Sequence, residues 1–209
     1  MARSIAIVDY GIGNLGSIAN MLRRLGVAST FAKTPKEIQD ATALILPGVG
    51  AFDKGMDNLA ERDLVDALSE RVLNDRTPIL GLCLGMQLLA DSSEEGNRAG
   101  LGWIKGNCVR FRSTEAAPIK VPHMGWNHLE ILQKHPLVAN LGEDQRFYFA
   151  NGYYLDGVPA ENEIAAATHG LKFPAVVASA NVMGVQFHPE KSHSFGARLL
   201  RNFADMVSA

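Results

Sequence analysis

The chain has 209 residues, and its 20 Lys and Arg against 22 Asp and Glu give a formal net charge of −2 at pH 7. This balance provides no general attraction to nucleic acid or to an anionic membrane surface. No apolar run reaches the roughly 18 residues that a membrane-spanning helix needs, and Asp9 interrupts the N-terminal apolar run too early for a signal peptide. Two cysteines are too few for a disulfide framework. We therefore expect a single domain over residues 1–209 in the reducing cytoplasm, with no nucleic-acid or membrane partner.

Short apolar runs alternate with helical patterns in the first half of the chain. The apolar runs predict strands at residues 5–8, 29–31, 43–46 and 77–82. Helices are predicted where apolar residues recur at helical spacing, over 15–25 and 64–73, and where Thr34-Pro35-Lys36-Glu37 has the form of a helix start. Strand–helix alternation of this kind is typical of an open parallel sheet with helices on its faces.

The second half of the chain has little helical periodicity. Strands are predicted at 103–104, 109–111, 147–149, 164–167, 176–178 and 183–187. The last two would form a hairpin, and a helix over 194–206 would close the chain. The predicted fold class is therefore α/β, with an open, mostly parallel sheet flanked by helices and an added antiparallel or mixed layer in the second half.

The segment Gly81-Leu82-Cys83-Leu84-Gly85 lies where a predicted strand gives way to a helical run. This is the nucleophile-elbow pattern, with cysteine in place of serine. The start of the helix would lower the pKa of the Cys83 thiol and would present the N–H of Leu84 to a developing oxyanion. The alternative is that Cys83 is a buried apolar side chain, which is what we expect of Cys108.

A general base and a group to orient it are available late in the chain. His188 and Glu190 flank Pro189 just after a predicted strand. Because Pro189 holds the backbone extended, the two side chains can project the same way. The sequence thus predicts a Cys83–His188–Glu190 triad, although a surface histidine at a strand end would also fit this segment.

Two glycine-rich turns follow predicted strands. Residues 47–50, Pro-Gly-Val-Gly, would lie beside Cys83 at the sheet edge, so that their N–H groups could complete an oxyanion hole; an ordinary turn is the alternative. Residues 11–16 fit the dinucleotide-binding pattern G-x-G-x-x-G. That pattern needs an acidic residue about 20 positions later, and Phe31-Ala32-Lys33 provide none. A close backbone approach or a contact surface built on Asn14 is the preferred interpretation of this turn.

Together these motifs resemble the class I, triad-type glutamine amidotransferases. The matching segments are 9–14, 46–52, 81–87, 93–96, 100–103, 121–127 and 186–192. The resemblance implies that Cys83 attacks the side-chain amide of L-glutamine, that His188 transfers protons and that Glu190 orients His188. It implies no cofactor and no metal. It places the oxyanion donors at Val49 and Leu84, and the glutamine-binding residues at Gly50, Gln87, Gly152 and Tyr153.

The finer matches resemble the members of this family that pass ammonia to a (β/α)₈-barrel cyclase or synthase subunit. That partner forms imidazole glycerol phosphate and an aminoimidazole carboxamide nucleotide in histidine biosynthesis. The resemblance implies a heterodimer whose contact surface consists of Asn14, Pro122, Met124, Trp126, Tyr148 and Lys191. From the residues alone, Met124 and Trp126 suit an interface anchor and a buried core equally well.

One segment departs from the family pattern. Where the family usually has His-Ser, this chain has Asn151-Gly152. The change leaves the triad intact but affects a segment beside the predicted glutamine site. It also keeps open a second ammonia acceptor, a sugar amidotransferase of surface-polysaccharide biosynthesis. A non-catalytic regulatory scaffold and a thiol peptidase are the further alternatives.

Overall fold

The computed structural model describes residues 4–115, 117–142 and 144–207. In its first half, strands and helices alternate as predicted. The strands are β1 (Ile5–Val8), β2 (Ser29–Ala32), β3 (Ala43–Gly48) and β4 (Ile79–Cys83). The helices are α1 (Leu15–Arg24), α2 (Pro35–Gln39), α3 (Phe52–Glu61), α4 (Leu64–Ser69) and α5 (Leu84–Leu88), with a π-helical turn at Glu70–Asn74.

The second half consists mostly of strands. They are β5 (Ser92–Ser93), β6 (Asn107–Arg110), β7 (His123–His128), β8 (Glu130–Ile131), β9 (Arg146–Asn151), β10 (Tyr153–Asp156), β11 (Glu163–His169), β12 (Leu171–Ser179) and β13 (Val182–Val185). A 3₁₀ turn at Pro189–Lys191 leads into the last helix, α6 (His193–Met206). Within the described ranges, no helix has the length and apolar character needed to cross a membrane.

Eight strands form the central sheet, in the order β2-β1-β3-β4-β13-β12-β11-β8. The pairs from β2 to β13 are parallel, and those from β13 to β8 are antiparallel. Strands β1, β3 and β4 are buried at every residue, because a hydrophobic cluster covers each face of this part of the sheet. Two small sheets, β10-β6-β5 and β7-β9, form the additional mixed layer that the sequence predicts.

Local sequence signals account for two of the element boundaries. Helix α2 begins with a complete capping box, in which Thr34 and Glu37 each bind the other's backbone N–H. The hairpin between β12 and β13 turns at Ala180, which has a positive φ of 52°. Both features were predicted from short segments because the residues that form them are neighbours in the chain.

Two local predictions were wrong, and one helix was not predicted. The segment Trp103-Ile104 is not a strand; both amides donate to the carbonyl of Leu89, at 2.8 and 3.0 Å. The helix predicted over 64–73 ends at Ser69 and continues only as the π-helical turn, which leaves Leu73 45% exposed. Helix α3 is absent from the predicted elements, although buried residues recur along it at helical spacing.

The sheet brings three separate segments to one edge. Strand β3 continues two residues further than predicted, so that Gly48 pairs with Cys83 at the end of β4. On the other side of β4, Leu82 pairs with Val185 at the end of β13. The 47–50 loop, the Cys83 elbow and the segment carrying His188 therefore all begin at the carboxyl ends of adjacent parallel strands, where α/β sheets commonly bind ligands.

Candidate active site

The backbone at Cys83 is strained. Cys83, the last residue of β4 and the residue before α5, has φ +53° and ψ −110°, a conformation that a non-glycine residue rarely adopts. A Cβ atom at Gly81 would lie 2.7 Å from the carbonyl oxygen of Gly85, and one at Gly85 would overlap the carbonyl oxygen of Leu46. The sharp turn therefore requires glycine at both positions, as the elbow pattern implies.

The three predicted triad residues are in contact. Nδ1 of His188 lies 2.9 Å from Oε1 of Glu190, and the side chains are only 4% and 3% exposed. His188 also hydrogen-bonds the side chain of Cys83. Burial lowers the pKa of His188, but these two hydrogen bonds and the negative charges of Cys83 and Glu190 outweigh it and raise the pKa to about 10. The ring therefore carries a proton at neutral pH.

Backbone contacts fix the position of His188. Its N–H donates to the carbonyl of Tyr148 at 2.9 Å, and its carbonyl accepts from the hydroxyl of Ser192 at 2.6 Å. The same Ser192 hydroxyl accepts from the N–H of Tyr148 at 3.0 Å. Strand β9 thus holds the segment that carries the base, which limits how far the imidazole can move from Cys83.

A cavity of about 300 Å³ opens over Cys83 and His188. It is lined by both predicted oxyanion residues, Val49 and Leu84, and by all four predicted glutamine-binding residues. As the first residue of α5, Leu84 has an N–H with no partner inside its own helix. Every residue that the sequence predicts for the triad, the oxyanion hole and the glutamine site therefore meets at this cavity, except Glu190, which lies behind His188.

The loop that carries Val49 is fixed at its base and exposed at its tip. The phenol of Tyr10 donates to the carbonyl of Pro47 at 2.6 Å, and Tyr10 is fully buried. Val49 is 42% exposed, and Gly50 has φ +105°, a conformation that favours glycine. Gly13 of the first glycine-rich turn packs on Pro47, where an added Cβ would be 3.3 Å from the proline ring, so this turn makes the expected close backbone approach.

Two polar lining residues, Glu95 and Asn151, have no role in the sequence predictions. The carboxylate of Glu95 accepts the N–H of Phe52 at 2.8 Å, at the start of α3. Asn151 is 4% exposed; its nitrogen donates to the carbonyl of Tyr153 at 2.8 Å, while its buried oxygen has no partner among the described residues. Glu95 lies in one of the segments that match the family, and Asn151 is the departure from it, so both positions carried a signal in the sequence.

Four of the six predicted contact residues form one surface patch, in which Tyr148 is half-buried and the other three are exposed. Met124 and Trp126, on β7, are 65% and 47% exposed, which excludes the buried-core alternative for them. Trp126 is paired with Tyr148 of β9, and their ring centroids are 6.1 Å apart. The ammonium group of Lys191 lies 5.8 Å from the centroid of the Tyr148 ring, and Lys191 also lines the cavity.

The other two predicted contact residues are exposed as well. Pro122 is exposed and immediately precedes β7. Asn14 is exposed and caps α1, where its side chain accepts the N–H of Ser17. Among the described residues, no group of three or more His, Cys, Asp or Glu side chains is arranged to hold a metal ion.

Comparisons with known proteins identify the family of this chain. The family model described as "Glutamine amidotransferase class-I" matches residues 6–207. The chain is 46% identical over 203 residues to "Imidazole glycerol phosphate synthase subunit HisH 2" of Pseudomonas aeruginosa, covering 97% of this chain and 100% of that protein. It is 47% identical over 199 residues to the protein of the same name from Methanococcus maripaludis, covering 95% and 98%.

A solved structure shows the same fold at low sequence identity. "Structure of PurLQS from Thermotoga maritima" superimposes with a TM-score of 0.75 at 18% identity, covering 99% of this chain and 100% of that one. The family match and the relatives each extend over nearly all of the described fold and include the cavity at the sheet edge. The chain therefore belongs to the class-I glutamine amidotransferase family and, within it, to the HisH group.

Proposed function

We propose that this chain is the glutaminase subunit of an imidazole glycerol phosphate synthase. It hydrolyses L-glutamine to glutamate and ammonia, and the ammonia serves histidine biosynthesis. The observation that carries the proposal is the contact of Cys83, His188 and Glu190 beneath a cavity lined by every predicted oxyanion and glutamine-binding residue. The relatives named as synthase subunits support the choice of pathway.

The reaction proceeds through a thioester. The Cys83 thiolate adds to the carboxamide carbon of glutamine, and the N–H groups of Leu84 and Val49 stabilise the negative charge on oxygen. His188, protonated at neutral pH, gives its proton to the nitrogen as the carbon–nitrogen bond breaks and ammonia leaves. Water then loses a proton to His188 and adds to the thioester, which releases glutamate and restores the thiolate.

Opposite charges in the cavity fit a free amino acid. Besides the triad, the charged residues that line it are Glu95 and Lys191. In our proposal the carboxylate of Glu95 attracts the α-ammonium group of glutamine, and the ammonium of Lys191 attracts the α-carboxylate. A peptide lacks these free charges at an internal glutamine, so the same pair disfavours the thiol-peptidase alternative.

The surface patch of Met124, Trp126 and Tyr148 fits the docking of a (β/α)₈-barrel cyclase subunit as a heterodimer. Met124 and Trp126 are exposed and Tyr148 is half-buried beside them, and large side chains of this kind are typical anchors of protein interfaces. The patch lies beside the cavity, because Tyr148 bonds to His188 through the backbone and contacts Lys191 through its ring. A partner bound there would receive ammonia with little exposure to solvent.

The test is glutamine hydrolysis by the purified chain, alone and with the cognate barrel subunit and its nucleotide ligand. We expect slow hydrolysis alone, strong stimulation by the barrel subunit and loss of both in Cys83→Ala. Hydrolysis that the barrel subunit leaves unchanged would contradict the pathway assignment and favour the sugar amidotransferase acceptor. Hydrolysis that survives in Cys83→Ala would contradict the glutaminase mechanism itself.

A further inference from the structure

A buried amide links the nucleophile to a side chain of the substrate cavity. Gln186 is fully buried, immediately after β13. Its Nε2 donates to Sγ of Cys83 at 3.9 Å, and its Oε1 accepts from Nε2 of Gln87 at 3.1 Å. We propose that Gln186 is a positioning residue that orients the Cys83 sulfur and stabilises its thiolate. This inference deepens the proposed function and rests on it, because it assigns Cys83 the role of nucleophile.

The surrounding hydrogen bonds determine which end of the Gln186 amide faces the sulfur. Nε2 of Gln87 also donates to the carbonyl of Tyr153 at 3.2 Å. A carbonyl can only accept, so this atom of Gln87 must be the nitrogen, and its neighbour on Gln186 must be the oxygen. The nitrogen of Gln186 then points to Cys83. Reversing either amide would place two donors or two acceptors against each other in a buried site.

Burial makes this hydrogen bond to sulfur more important than its length suggests. The Gln186 side chain has no access to water, and among the described residues the acceptor for its nitrogen is Cys83. An amide N–H interacts more strongly with a thiolate than with a thiol, because the thiolate carries a full charge. Because burial removes water as an alternative hydrogen-bond acceptor, the amide nitrogen of Gln186 has to donate to the Cys83 sulfur. This contact therefore favours the thiolate form of Cys83.

The backbone holds this amide in place. The N–H of Gln186 donates to the carbonyl of Ala175 in the neighbouring strand at 2.9 Å. Gln87, at the other end of the link, lines the cavity, and both hydrogens of its amide nitrogen are already used. Only its oxygen is therefore available to a substrate, and a substrate that engages Gln87 also affects the amide that contacts the sulfur.

Charged and titratable groups also surround Cys83, and they must be separated from the effect of a neutral amide. They are His188 with Glu190 behind it, the phenol of Tyr10, whose pKa is raised by burial and by the charge of Cys83, and Glu95 and Lys191 on the cavity wall. Replacing Gln186 with methionine keeps a side chain of similar length and leaves all of these groups in place. Any change in the reactivity of Cys83 then reports the lost amide.

The test is the pH dependence of Cys83 alkylation by iodoacetamide in the full chain, followed by peptide mass spectrometry. In Gln186→Met we expect the alkylation profile to move to higher pH. A hydrogen bond to a charged group corresponds to about 10- to 100-fold in rate, so alkylation at pH 7 and kcat for glutamine should fall within that range. KM should change less than kcat, because Gln186 is not among the residues that line the cavity.

Gln133→Met is the matched control. The Gln133 amide donates to the carbonyls of Ala160 and Glu163, at 2.7 and 2.8 Å, away from the cavity. This variant loses comparable hydrogen bonds, and we expect its alkylation profile and kcat to equal those of the wild type. A change in the control as large as that in Gln186→Met would mean that general loosening causes the effect, and would overturn the proposal.

If Gln186→Met does not fold, Gln186→Glu provides the same test with a carboxylate in place of the donor. Its negative charge should move the Cys83 profile further toward high pH than the loss of the donor alone. A wild-type profile in either folded variant would overturn the role of Gln186. Failure of the proposed function has a different signature, because wild-type enzyme would then show no hydrolysis that depends on Cys83, whatever the alkylation profile of the Gln186 variants.

Discussion

The two cysteines of this chain, Cys83 and Cys108, lie in surroundings that have opposite effects on a thiol. Cys83 stands at a strained strand-to-helix turn, 6% exposed, against His188 and beneath a cavity. Cys108 lies within strand β6, between β5 and β10, and is fully buried. Burial and the charge of Glu95 raise the pKa of the Cys108 thiol, so this thiol stays protonated at neutral pH.

Exposure alone does not distinguish the two sites, since both side chains are nearly inaccessible. The difference lies in what surrounds the sulfur. Cys83 has two nitrogen donors directed at it, from His188 and Gln186, and a helix that starts at the next residue. Among the described residues, the hydrogen-bond partner of the Cys108 sulfur is the carbonyl of Gln87, to which its S–H donates at 3.7 Å. Donors stabilise a thiolate, whereas a carbonyl acceptor stabilises a thiol.

The largest expected effect is the loss of glutamine hydrolysis in Cys83→Ala. Removing a catalytic nucleophile should lower kcat on the order of 10⁴-fold or more. The free energy of unfolding should fall somewhat at neutral pH, because the substitution removes the hydrogen bond and the charge of Cys83 that help to raise the pKa of His188. Steady-state kinetics and urea denaturation measure the two quantities. Residual activity above about one hundredth of the wild type would contradict the nucleophile assignment.

A second large effect concerns the glycines of the elbow. In Gly85→Ala the new methyl group would overlap the carbonyl oxygen of Leu46, which belongs to the adjacent strand and cannot move freely. We expect a loss of more than about 4 kcal/mol in the free energy of unfolding, measured by urea denaturation. The control is Gly16→Ala in α1, where a Cβ has no atom within 4 Å and helix propensity predicts a gain of about 0.5–1 kcal/mol. Equal stability of the two variants would show that the turn can rearrange.

An intermediate effect is expected in Glu190→Gln, which tests the pair with His188. Without the carboxylate the pKa of His188 should fall from about 10, which weakens its pairing with the thiolate. We expect kcat to drop about 10- to 100-fold, with a smaller change in KM. The measurement is the pH profile of kcat for both proteins, and an unchanged profile would mean that Glu190 does not orient or charge the ring.

The same substitution also has a consequence for stability. A histidine whose pKa is raised by folding stabilises the protein fully below its unfolded pKa of about 6.5, and this contribution is lost as the pH rises to the folded value. For His188 the loss therefore occurs between about 6.5 and about 10. The free energy of unfolding should fall more steeply over this window in wild type than in Glu190→Gln. If the free energy of unfolding falls equally steeply in both proteins, the carboxylate of Glu190 does not contribute to the raised pKa of His188.

The contrast between the cysteines also explains how much the sequence could predict. The elbow and the His188–Glu190 pair are each contained in a few consecutive residues. The glycines or the proline that fix the backbone there stand next to the reactive side chains, so both were predicted from the sequence. The contacts of Glu95 with Phe52 and of Gln186 with Cys83 join segments that are distant in the chain, so these contacts are visible only in the fold. Similarly, Trp103-Ile104 looks like a strand by composition, but its amides bind the end of α5, which no local pattern reveals.

The smallest expected effect is that of Cys108→Ala, which tests whether Cys108 only packs in the core and takes no part in the reaction. The substitution removes the sulfur from the core of the small sheet and its contact with the carbonyl of Gln87, so the free energy of unfolding should fall by about 1–2 kcal/mol. Because Gln87 holds its side chain through Tyr153 and Gln186, kcat and KM should remain within about twofold of the wild type. Iodoacetamide at pH 7 should label Cys83 at the wild-type rate. A marked rise in KM would instead mean that the packing of Cys108 against α5 affects the position of Gln87 in the substrate cavity, so that the surroundings of the two cysteines are coupled.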